Sequence, residues 1–126
     1  MDKPSPLGLY IHLPFCARRC PYCDFFAQPH APGLARALLP ALPRHLEMIA
    51  PLAEGRALDH VYLGGGTPSL LPASAIARLI QAASRLVGLQ TGSEITLEAN
   101  PGTLSLGKLK ALKAAGVNRL SLGAQS

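Results

Sequence analysis

Four short strand-like runs constrain the fold more than any other feature: the apolar Leu7–Leu13 (LGLYIHL), then Ala57–Leu63 (ALDHVYL), Ser93–Ala99 (SEITLEA, with some alternation) and Val117–Ala124 (VNRLSLGA). Each has a Gly or Pro within two residues of an end, and each reads as a strand. Helical periodicity fills the gaps between them. Pro72–Val87 places Ile76, Leu79, Ile80, Ala83 and Leu86 on one face, with Pro72 at the start and Gly88 past the end. Leu104–Ala115 runs into Gly116, the residue type that suits a left-handed helix end. Leu34, Leu38, Leu42, Leu46 and Ile49 also recur at helical spacing, but Pro40 and Pro43 fall inside that pattern. Proline belongs in a helix's first turn, so this helix is expected to start near Pro40 or Pro43, or to kink there. The order β-α-β-α-β-α-β, with connections of crossover length, implies parallel strands. The expected class is α/β, and the pattern looks like part of a parallel barrel.

At 126 residues the chain makes one domain and falls short of a closed eight-fold barrel, which takes about 250. Apolar residues at 48% fit a globular protein, while charged residues at 15% leave apolar surface for a partner or for more chain. Lys and Arg number 12 against 7 Asp and Glu, a net charge of +5. Only Arg18-Arg19 and the Lys108, Lys110, Lys113 group lie close together, and there is no Trp. Solvated helix faces account for that pattern, and no nucleic-acid partner is expected. The N-terminus, MDKPSP, lacks the apolar stretch of a signal peptide. The longest uncharged run, His60 to Ala77, is broken by Gly64, Gly65, Gly66, Pro68 and Pro72, so no transmembrane segment is expected. The expected location is cytoplasmic.

All three cysteines stand in a CxxxCxxC pattern at Cys16, Cys20 and Cys23, directly after the first strand. They sit in Pro14–Pro32, a proline-rich stretch that fits no regular element and reads as a long functional loop. Three chemistries compete. A disulfide leaves one thiol over and is disfavoured in a reducing compartment. Zinc needs a fourth ligand, which His12 could supply, but zinc sites usually pair two short ligand clusters. An iron–sulfur cubane held by three thiolates keeps one iron open, and an open metal position is what distinguishes a reactive centre from a closed one.

The other strand ends carry distinctive residues too. Strand two runs into Gly64-Gly65-Gly66-Thr67-Pro68, strand three ends at Glu98, and strand four ends at Gln125. In a parallel barrel all of these gather on the C-terminal face, where functional groups collect. The glycine run is neither GxGxxG nor a lysine-bearing P-loop. It can be a plain tight turn, or a place where backbone approaches a ligand closely.

CxxxCxxC with Tyr22 before the last cysteine resembles the signature of the radical S-adenosylmethionine (SAM) superfamily. The fold implied is the N-terminal part of a (β/α)6 partial TIM-like barrel, with four parallel strands and three helices present. Residues 1–126 would then be the N-terminal part of the core domain, with the rest of the barrel and a C-terminal domain absent. The resemblance implies a 4Fe-4S cluster on Cys16, Cys20 and Cys23, and SAM bound at its open iron. Tyr10, Tyr22, Gly65, Gly66, Thr67, Glu98 and Gln125 match SAM-contacting positions.

The segments LYIHLPFC, GGGTPS, EANPG and VNRLSLGAQS narrow the resemblance to the oxygen-independent coproporphyrinogen III oxidase family. The oxidases carry a fourth cysteine two positions after the third, where this chain has Phe25, and tend to have Asp-Pro-Arg at Asn100-Pro101-Gly102. Both departures point to the haem-chaperone branch (HemW), whose members are implied to bind haem and deliver it to recipient haemoproteins. The alternatives are an oxidase that decarboxylates a porphyrinogen and a zinc-binding structural module. His12 is expected to pack or support the site; His30, His45 and His60 are expected at the surface or in loops.

Overall fold

The computed structural model describes residues 5–16, 28–29 and 32–123. Four parallel strands form one sheet: β1 (Gly8–Leu13), β4 (Leu58–Gly65), β5 (Leu89–Ala99) and β6 (Arg119–Leu122). Spatial order follows chain order, as expected when each strand returns beside its predecessor through a helix. The crossovers contain α1 (Pro32–Ile49), α2 (Ala73–Leu86) and α3 (Leu106–Ala115). Two further two-residue strands, β2 (Phe15–Cys16) and β3 (Gln28–Pro29), pair in parallel, so the stretch read as an irregular loop is clipped together at its two ends.

Strand register sorts side chains by parity, because successive residues point to opposite faces. Ile11, Leu63, Leu97 and Leu120 form one row across the sheet, and Leu9, Val61 and Ile95 form another. These rows join Leu46 of α1, Ile76, Leu79, Ile80 and Ala83 of α2, and Leu112 of α3 in one apolar core. Leu13, Leu63, Ile76 and Leu97 are fully enclosed there. The amphipathic stripe predicted for 72–87 is therefore the face that α2 buries.

The observed α1 corrects the expected helix start: it begins at Pro32, before both prolines, and continues past Pro40 and Pro43 to Ile49. Each interior proline removes one hydrogen bond and costs about 3 kcal/mol or more. Against that stands the leucine stripe: Leu46 is buried, and Leu38, Leu39, Leu42 and Ile49 pack against the core. At roughly 1.5–3 kcal/mol for each fully buried aliphatic side chain, five such residues offset the two prolines even when most are half-covered. The carbonyl that Pro40 leaves without a partner belongs to Arg36, an exposed residue that water can reach. Burial outweighs local propensity here.

The other boundaries move less. β5 begins at Leu89 instead of Ser93, with a register irregularity against β4 between Leu58 and His60. A 3-10 turn at Pro101–Thr103 precedes α3, whose cap Ser105 accepts the Lys108 amide through its side chain at 3.1 Å. Gly116 takes φ +114° at the α3 C-terminus, where its amide closes onto Leu112 and Lys113 carbonyls. Asn118 then staples the entry of β6 to β5, accepting the Ile95 amide at 2.8 Å and donating to the Ser93 carbonyl at 2.9 Å. Among the described residues every buried side-chain nitrogen or oxygen has a hydrogen-bond partner, and no helix is long and apolar enough to cross a membrane.

Candidate functional site

The sheet face turned away from the helices is polar. Tyr10, Tyr62, Thr96 and Arg119 lie in one row, with His12 beside Gly64 and Glu98 beside Ser121 in the row above. Closed barrels fill this face with branched aliphatic side chains. Phenols, imidazole, carboxylate and guanidinium cannot make a dry core without heavy desolvation cost, so this face suits a polar ligand and its water. Tyr10 is 56% exposed on it.

Glu98 organises the upper end of that face. Its Oε2 accepts the Tyr62 hydroxyl at 2.9 Å, and its Oε1 accepts the Gly65 backbone amide at 2.8 Å. The carboxylate can approach this closely because residue 64 is glycine: a Cβ there would stand 2.5 Å from Glu98 Oε1. Gly65 adopts φ +119°, and a Cβ on it would sit 2.9 Å from both the His12 ring and the Leu13 carbonyl oxygen. The glycine run is therefore more than a loose turn. It is a cradle that side chains would fill.

The same turn is tied to the entrance of the cysteine segment. The Gly66 amide donates to the Leu13 carbonyl at 3.0 Å, and the Thr67 amide donates to the Phe15 carbonyl. The amides of 65, 66 and 67 are thus all used internally, which leaves acceptors as the turn's offer to a ligand. On the far side, buried Ser69 accepts the Asn100 amide at 3.1 Å and pairs with the Thr103 hydroxyl, while Lys108 Nζ donates to the Ser69 carbonyl. These contacts lock the turn after β4 to the turn after β5. Burial pulls the Lys108 ammonium below its ordinary pKa.

Tyr10 stacks on Tyr62 with ring centroids 5.8 Å apart and planes at 22°, and its hydroxyl lies 3.1 Å from His12 Nδ1. Both phenols have raised pKa values. Burial is the first cause in each case; the Glu98 hydrogen bond follows for Tyr62, and the Glu98 charge for Tyr10. Both rings therefore stay protonated and able to donate at neutral pH.

Of the residues expected at the site, Tyr10, Gly65, Gly66, Thr67 and Glu98 come together at the C-terminal end of the sheet, beside the backbone of Cys16. Cys20, Tyr22, Cys23, Phe25, His30 and Gln125 lie outside the described residues. His12 faces the polar side, next to Tyr10. His45 is exposed on α1, and His60, expected at the surface or in a loop, is exposed on β4 with its ring over Gly8. Sequence reasoning missed Tyr62, which no motif singles out within its strand. It also missed Ser69, Thr103 and Lys108. Counting parity back from Gly64 would have placed Tyr62 on the polar face.

The sequence matches the radical SAM superfamily over residues 10–126. The chain belongs to the radical SAM superfamily. It is 39% identical to the heme chaperone HemW of Haemophilus influenzae, an alignment covering 100% of this chain and 34% of that protein. It is 41% identical to the mitochondrial radical S-adenosyl methionine domain-containing protein 1 of Bos taurus, covering 99% of this chain and 29% of the relative. A solved structure of the coproporphyrinogen III oxidase HemN from Escherichia coli, described as a radical SAM enzyme, superposes with a TM-score of 0.87 at 36% identity. That superposition covers 95% of this chain and 28% of the oxidase. The chain thus spans about a third of the length of these relatives, and the four parallel strands and three helices form an α/β unit matching the corresponding part of the oxidase's partial barrel.

Proposed function

We propose that residues 1–126 are the N-terminal part of a radical SAM core domain whose three thiolates, Cys16, Cys20 and Cys23, hold a 4Fe-4S cluster with one open iron. Tyr10, Tyr22, Gly65, Gly66, Thr67, Glu98 and Gln125 are this chain's share of the SAM site. The observation that carries this reading is the Glu98 carboxylate, fixed between Tyr62 and the Gly65 amide and bonded through the glycine turn to the strand that leads into Cys16.

The residues present fit the group. A carboxylate offers about four lone-pair positions, and the two contacts seen leave Glu98 able to accept from an ammonium or a ribose hydroxyl. The bare Gly64–Gly65 backbone makes room for the Glu98 carboxylate and the Tyr62 and His12 rings to close on the turn, which keeps these polar groups together where a ligand would meet them. Three thiolates suit a cubane with an open site. When bound, the reduced cluster supplies the electron that cleaves the sulfonium C–S bond of SAM. This chain's own residues orient the ligand, keep the glycine turn against the cysteine entrance, and hold protonated phenols beside the carboxylate.

Within the superfamily we assign the chain to the haem-chaperone branch, with haem as the cargo of the full-length protein, recipient haemoproteins as its partners and the cytoplasm as its location. Phe25 in place of a fourth cysteine and Gly102 in place of arginine support that branch, as does the similarity to proteins named heme chaperone HemW. The structural likeness to coproporphyrinogen III oxidase favours a second reading, an oxidative decarboxylase. Haem titration and coproporphyrinogen turnover on the anaerobically reconstituted full-length protein, with SAM and a reductant, separate the two. One haem retained per protein with no coproporphyrinogen consumed is the expected result. Catalytic release of carbon dioxide from coproporphyrinogen would establish the oxidase instead.

A further inference from the structure

We infer that Tyr62 is the positioning residue of the SAM site: its hydroxyl holds the Glu98 carboxylate in the one orientation that serves both the glycine turn and a ligand. This rests on the reading of Glu98 given under Proposed function. A glutamate side chain has three rotatable bonds, and freezing them costs entropy at every binding event unless the protein has frozen them already. Here the freezing is complete before any ligand arrives. Oε1 is fixed by the Gly65 amide at 2.8 Å and Oε2 by the Tyr62 hydroxyl at 2.9 Å, two donors on different oxygens, so the carboxylate plane cannot turn. One donor alone would leave the group free to pivot about it.

Tyr62 is in turn fixed. Its ring lies against Tyr10 of β1, while Glu98 approaches from β5 and Ser121 and Arg119 from β6. Its aromatic edge also lies beside Gly64, where a Cβ would come within 2.8 Å of it. Tyr62 thus touches the glycine turn and the carboxylate at once and couples their positions. A donor bonded to a carboxylate makes a charge-assisted hydrogen bond, stronger than a neutral pair, and the raised Tyr62 pKa keeps that donor protonated through neutral pH.

Tyr62→Phe keeps the ring and its stacking and removes only the hydroxyl. On reconstituted protein, SAM affinity by equilibrium dialysis should fall about tenfold in Tyr62→Phe while iron content stays at the wild-type level. The double variant Tyr62→Phe/Glu98→Gln should bind no worse than Glu98→Gln alone, because the hydroxyl acts only through the carboxylate. A second readout needs no ligand. Spectrophotometric titration of the phenols in the unloaded protein should show Tyr62 and Tyr10 both ionising at lower pH in Glu98→Gln than in wild type, Tyr62 through the lost hydrogen bond and charge and Tyr10 through the lost charge alone. SAM affinity within twofold of wild type in Tyr62→Phe, or losses that multiply in the double variant, would overturn the inference while leaving the site intact. Wild-type protein that fails to bind SAM, or Glu98→Gln that binds it normally, would overturn the reading of Glu98 itself.

Discussion

Gly65→Ala should lower the urea midpoint of the protein by about 1 M and weaken SAM binding at least tenfold. The turn leaves no room for the change. A residue held at φ +119° costs an L-amino acid on the order of 1–3 kcal/mol. The new Cβ would also stand 2.9 Å from the Leu13 carbonyl oxygen, a backbone atom of a strand that cannot step aside cheaply. A loss of about 2 kcal/mol with a denaturant slope of roughly 2 kcal/mol/M gives the stated midpoint shift. The binding loss follows from the same displacement, since the Gly65 amide is one of the two donors that fix Glu98. Gly107→Ala is the matched control: nothing lies within 4 Å of a Cβ there, and an alanine in α3 should stabilise slightly. An unchanged midpoint for Gly65→Ala would show that the turn relaxes and that its conformation does not position the carboxylate.

Cys20→Ser should reduce the iron retained after anaerobic reconstitution from about four per protein to below one, with a parallel loss of sulfide. A cubane with three protein ligands has its fourth iron open by design, so removing one thiolate leaves two irons without protein ligands and only two attachments to the chain. A serine hydroxyl is a harder, far less acidic donor and does not replace a thiolate on iron. The effect should be all-or-none in cluster content, unlike the graded losses expected from changes around Glu98. Full iron and sulfide in Cys20→Ser would refute the ligand assignment.

The strands were legible because the runs are short, apolar or alternating, and flanked by breakers, and the sheet order then follows from parallel crossovers. Glu98 stood out because it follows Ile95-Thr96-Leu97 at the end of its strand. Helix α1 was misread at its start because proline's cost is local and visible, whereas the packing of Leu38, Leu42 and Leu46 that offsets it is tertiary. Tyr62 was hidden for a different reason. It stands between apolar Val61 and Leu63, and only the register against Tyr10 and the hydrogen bond to Glu98 show which face the phenol takes. The tie between Ser69, Asn100 and Thr103 joins residues 31 and 34 positions apart, a separation that no local pattern encodes.

Anaerobic reconstitution of the wild-type protein with iron and sulfide, followed by iron and zinc analysis and by electron paramagnetic resonance with and without SAM, tests the central claim most directly. The account predicts a brown protein with about four irons, whose reduced-cluster signal changes when SAM is added because one iron is open to it. Tightly bound zinc with no cluster, or a cluster whose signal ignores SAM, would contradict it.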